Sequence, residues 1–176
     1  MKTPLHPFMV LAACGLALSI AAHVMALAGV PIPGGGLVWL LHLGIFVVWI
    51  PAVLASIKMT RHASRKDLWK VALAGCPEWM RRSFYVLTGY AFINFILFFA
   101  STAGQDRKST THLAEVRGFS GHWMAFYGAA FAILYSSIHS PGLYRERKCP
   151  QGHTSSPTAR FCAECGHDFS HDAEHT

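Results

Sequence analysis

Charge is what this chain lacks. No Lys, Arg, Asp or Glu occurs from Thr3 to Ile57, from Ser83 to Gln105 or from Gly118 to Tyr144. Of the 176 residues only 14% are charged, while 52% are hydrophobic. A water-soluble domain has about a quarter of its residues charged, so that class is excluded. Such runs suit hydrocarbon, where a charge at mid-bilayer costs roughly 2.5–3.5 kcal/mol on insertion scales. The same gaps hold no carboxylate, which removes the buried acids that a proton relay or a coupled transporter needs. A Gly-rich phosphate loop is missing as well. We read no catalytic residues.

The charge-free runs predict an all-α integral membrane protein with four transmembrane helices, at about 8–29, 37–57, 83–103 and 120–140. Roughly 20 residues at 1.5 Å each cross about 30 Å of hydrocarbon. Val30-Pro-Ile-Pro-Gly-Gly-Gly36 reverses the chain between the first two. Two processing readings compete at the first: a signal peptide cut near Ala26-Leu27-Ala28, and a lipobox at Leu11-Ala12-Ala13-Cys14. Its apolar run is longer than a usual signal peptide's, and the sequence after Cys14 stays apolar. Pro51 should kink the second helix. Asn94 in the third reads as a tie between helices, and Gly128, Ala132 and Ser136 in the fourth as a packing stripe.

Segment 58–82 carries seven Lys or Arg against Asp67 and Glu78. Ser64-Arg-Lys-Asp67 looks like a capping box opening a short amphipathic helix at 65–74, which lies on the membrane surface and ends at Gly75. Four crossings put the amino terminus, this segment and the carboxyl tail on one side, with twelve of the fifteen basic residues. The positive-inside rule makes that side cytoplasmic, so both termini face the cytoplasm across the cell (inner) membrane. The net charge of +6 is thus read as topology, and nucleic acid as an improbable partner.

The chain divides into a membrane domain, 1–144, and a cytosolic part, 145–176, that ends in an acidic, His-rich tail. In the second, Cys149-Pro-Gln-Gly-His153 and Cys162-Ala-Glu-Cys165-Gly166 place Cys149, His153, Cys162 and Cys165 at the spacing of a four-ligand zinc site. So short a segment cannot build an apolar core, and a bound metal would staple it. This stretch, residues 149–166 only, resembles the zinc-ribbon (rubredoxin-knuckle) modules written Cys-Pro-x-Gly-His and then Phe-Cys-x-x-Cys-Gly. The resemblance implies a structural Zn²⁺ with all four positions filled. It departs from the all-cysteine version at His153, and His167 competes for that place. Other readings of Cys162 and Cys165 are a redox dithiol or an unstructured tail. From Cys149 onward Arg160 alone faces Glu164, Asp168, Asp172 and Glu174, a balance wrong for phosphate and better suited to a protein partner.

Two further histidine sets carry possible metal chemistry. His167, His171 and His175 recur every four residues in the tail. In the membrane, His23 and His42 flank the glycine turn symmetrically and His122 opens the fourth span; facing imidazoles ligate haem iron or copper. The leading reading is an accessory or adaptor subunit, in a homo- or hetero-oligomer, that presents a structural zinc ribbon to a protein partner. The alternatives are a membrane redox or metal-handling protein using His23, His42 and His122, and a zinc or redox sensor.

Overall fold

The computed structural model describes residues 5–61, 63–103, 111–140, 142, 147–155 and 159–169. Five helices account for most of them: α1 (His6–Leu27), α2 (Leu40–Thr60), α3 (Leu68–Ala72), α4 (Glu78–Thr102) and α5 (His112–His139). One antiparallel two-residue pair follows, β1 (Arg147–Lys148) with β2 (Thr154–Ser155).

Three stretches, His6–Leu27, Gly35–Thr60 and Glu78–Thr102, are long and apolar enough to cross a membrane. They match the first three expected spans. The fourth expected span lies in α5, which is long enough but does not reach that apolarity. The packing gives the reason. The other three long helices each pack on α5, and the α1–α5 contact is the most extensive. Val116, Ser120, Trp123, Ala130, Leu134 and Ser136 of α5 are all fully buried. A helix wrapped by protein needs no greasy exterior, and can carry Gly, Ser and His where its neighbours carry Leu.

The outer helices show the complement. Their small residues face inward: on α1 the buried positions are Ala12, Gly15, Ser19, Ala22, His23 and Ala26, recurring at helical spacing. Leu18, Val24, Phe46, Ile50, Val86 and Leu97 stand exposed. Large apolar side chains outside and small ones inside suit a bundle surrounded by lipid.

Local details differ from expectation at two places. Ser64 and Asp67 do meet, but the Ser64 hydroxyl donates to the Asp67 carboxylate at 2.6 Å rather than capping a backbone N–H. With Lys70 adding a second bond at 3.2 Å, these contacts hold the Asp67 carboxyl below its usual range. The surface helix is also shorter than 65–74: a 3₁₀ turn at Arg65–Asp67 leads into α3, which ends at Ala72. Gly75 is therefore not its cap. It lies against α5, where its N–H donates to Ser136 Oγ at 2.9 Å. Beside it the Cys76 thiol donates to the Ala132 carbonyl at 3.1 Å, and burial pushes that thiol up to about 11. The stripe of Ala132 and Ser136 is thus covered by the α3–α4 turn.

Asn94 ties helices as expected. Its amide donates to the Arg117 and Gly118 carbonyls of α5 at 3.0 and 3.2 Å.

Candidate metal centre

Four ligand atoms, one each from Cys149, His153, Cys162 and Cys165, lie within 4.8 Å of one another, a cluster that could hold a metal ion. Two chain reversals bring them there. In the first, Gly152 takes φ +83°, Gly152 N–H donates to the Cys149 carbonyl at 2.8 Å, and β1 pairs with β2 on either side. In the second, Gly166 takes φ +74°, its N–H donates to the Cys162 carbonyl at 2.9 Å, and Phe161 bridges to Asp168. Both glycines stand where a side chain would strain the backbone, which is why each half-site carries one.

The separations suit a tetrahedron. Zn–S bonds of about 2.3 Å and Zn–N bonds of about 2.0 Å put neighbouring ligands roughly 3.5–3.8 Å apart. Cys149 Sγ and Cys165 Sγ are 3.6 Å apart, and Cys162 Sγ is 3.9 Å from His153 Nδ1. All of these cysteines are free thiols. The backbone supplies positive ends as well: the N–H groups of Cys165 and Glu164 lower the Cys162 thiol to about 6, favouring the thiolate that binds metal. At Cys165 the His167 N–H also pulls downward, but burial and the neighbouring thiols outweigh it and raise that group. A metal in this cage would accept both sulfurs as thiolates.

Two residues at the centre escaped sequence reasoning. Phe169 is 1% exposed and forms the small core with Cys149 and Cys162; the Arg147 guanidinium covers its ring at 5.5 Å. Phe161, the phenylalanine inside the motif, is by contrast 50% exposed. Phe169 lies three residues past Gly166, outside the motif, so no spacing pointed to it. The second is Glu164, whose Oε2 lies 3.4 Å from His153 Nε2. With Nε2–H donating to the carboxylate, Nδ1 keeps its lone pair toward the thiols, the pairing that orients many metal-bound imidazoles. Replacing Glu164 with Gln should weaken metal affinity about 10- to 100-fold, measured by competition with a chromophoric chelator. Unchanged affinity would show that Glu164 does not orient the ring.

His167 is placed outside this cluster; its ring stands edge-on to Phe169 at 5.3 Å. His171 and His175 lie outside the described residues. The membrane histidines fall into two groups. His42 and His122 meet, with Nδ1 and Nε2 3.3 Å apart. His23 is drawn elsewhere, between Ser120 Oγ at 2.7 Å and Tyr90 Oη at 2.5 Å. Among the described residues, the four-residue cluster above is the one group of three or more His, Cys, Asp or Glu close enough to share an ion.

No protein-family model matches the chain, and no curated protein or solved structure matches it. Function is therefore argued from the geometry alone.

Proposed function

We propose that the protein is a four-span membrane subunit that presents a zinc ribbon to the cytoplasm, where the ribbon docks on a protein partner. The observation that carries the metal part is the convergence of three thiols and one imidazole within 4.8 Å, at two glycine-bearing turns, the second of which aims backbone N–H groups at sulfur. Three sulfurs and a nitrogen select zinc over the hard oxygen-seeking cations, and four protein ligands leave no open position for catalysis. The role is then structural: zinc binding is the folding energy of a segment whose buried core is little more than Phe169 and its cysteines.

In this reading residues 1–144 form the membrane domain and 145–176 the cytosolic part, with α5 crossing as the central, fourth helix. The lipid-facing side chains of α1, α2 and α4 support burial in a bilayer, and twelve of the fifteen basic residues on one side support cytoplasmic termini. The acidic excess after Cys149 supports a protein surface over nucleic acid as partner. A membrane metal site is the weaker second reading, because His42 and His122 face each other while His23 bonds Ser120 and Tyr90.

Elemental analysis of freshly purified protein should return one zinc per chain, and a carboxyl-terminal tag should resist labelling in intact cells. Protein free of metal would end the zinc reading. A tag labelled from outside would end the cytoplasmic placement.

A further inference from the structure

Away from the metal centre, a cavity of about 460 Å³ opens between α2, α4 and α5, lined by His42, His122, Phe92, Phe95, Phe119 and Phe126. None of the residues lining it is charged. Phe92, at 66% exposed, stands at its outer edge on the lipid-facing side of α4. Ring centroids of Phe119, Phe95 and Phe126 lie 5.4, 6.1 and 6.1 Å from that of His122, all close to edge-on.

The hydrogen bonds fix where the protons sit. Trp123 Nε1–H donates to His42 Nδ1 at 3.0 Å. An indole N–H can only donate, so His42 Nδ1 accepts, and neutral His42 carries its proton on Nε2. His122 Nε2, 3.3 Å from the same nitrogen, shares that one lone pair as the longer arm of a three-centre bond, and with its proton there His122 Nδ1 keeps a lone pair. That atom is buried and has no partner among the described residues. The pair thus holds one uncommitted donor, His42 Nε2–H, and one unpartnered acceptor. A cation would find only one free lone pair here, that of His122 Nδ1, because Trp123 already uses that of His42 Nδ1.

The geometry points to a neutral, flat ring that carries a hydrogen-bond acceptor and reaches the cavity through lipid. We propose that the cavity binds the ring of a bilayer-soluble quinone, with His42 Nε2–H donating to a ring carbonyl. Phenylalanine edges and faces suit a planar ring, and one well-placed polar group in an apolar lining sets its orientation. The zinc proposal is independent of this one.

The test uses full-length protein in phosphatidylcholine nanodiscs, titrated with a short-chain benzoquinone and followed by quenching of tryptophan fluorescence. Wild type should quench saturably. Ala125→Phe, which fills the cavity from its α5 wall, should abolish saturation. His42→Phe should weaken binding about 5- to 10-fold, the scale of one neutral hydrogen bond. Phe92→Ala should weaken it several-fold at a position too exposed to endanger the fold, and Cys162→Ser should leave it unchanged. Helicity measured by circular dichroism confirms that each variant is folded. Linear quenching in wild type, or equal affinity in Ala125→Phe and Phe92→Ala, would overturn the site. Wild-type affinity in His42→Phe would overturn the donor.

Discussion

On the zinc reading, Cys162→Ser should cost the protein its metal and unfold its carboxyl-terminal module while leaving the long helices intact. Cys162 is 3% exposed, and its thiol faces both the His153 ring and the N–H groups of Cys165 and Glu164. Serine keeps the size but offers a hydroxyl that stays protonated, so one of four bonds is lost and the remaining three hold metal weakly. Structural zinc contributes apparent binding energies of about 10–16 kcal/mol to comparable small domains, far more than the few residues of this core can replace. After dialysis, metal content should fall to about a tenth or less of the wild-type value, and protease should cut between 149 and 169. Cys14→Ser, at an exposed thiol on α1, serves as the control and should keep its zinc. Retained metal in Cys162→Ser would rule out this ligand set, and loss of any captured partner with the metal would tie docking to the folded ribbon.

Gly75→Val should clearly destabilise the packing of the α3–α4 turn on α5. A Cβ at Gly75 would stand 2.7 Å from the Ser136 carbonyl oxygen and 2.9 Å from Ser136 Cα. Both are backbone atoms of a buried helix, so no side-chain rotation relieves them. The α3–α4 turn would have to lift off α5, losing the bond from Gly75 N–H to Ser136 Oγ and the contacts of Leu73 and Cys76. Overpacking of this kind costs about 1–3 kcal/mol before the hydrogen bond is counted, and should appear as a fall of several degrees in the thermal midpoint in detergent. Gly89→Val offers the contrast: nothing lies within 4 Å of its added Cβ, so its midpoint should hardly move. Equal effects at the two glycines would mean that the turn does not pack on α5 as described.

These two cases also show where the sequence was readable. Ligand spacing is local, so Cys149, His153, Cys162 and Cys165 could be picked out as a set before any coordinates. The positions of the long helices followed from runs without charge, though α4 starts at Glu78 and α5 at His112, each several residues earlier than expected and amid charged residues. What stayed hidden was contact between distant residues. Gly75 looked like a helix terminator because glycine commonly ends helices, yet its reason for being small is a neighbour 61 positions away. Phe169 and Glu164 serve a centre whose motif does not include them. For α5 the run without charge predicted a fourth span at 120–140, yet among the described residues the helix falls short of the apolarity of the other three, and much of its surface meets protein. The symmetry of His23 and His42 about the turn misled in the same way: depth can be counted along a chain, but rotation about a helix axis is set by packing. Rotation sends His23 to Tyr90 and His42 to Trp123.

The central place of α5 also bears on how the molecule comes into being. Among the described helices it is the last long one in the chain, so α1, α2 and α4 are made before the surface they pack on. Until then the small inward faces of α1, and the His23 imidazole among them, lie open to lipid or to other proteins. A chain stalled after Thr102 would be a loose set of hydrophobic rods for the cell's quality-control proteases.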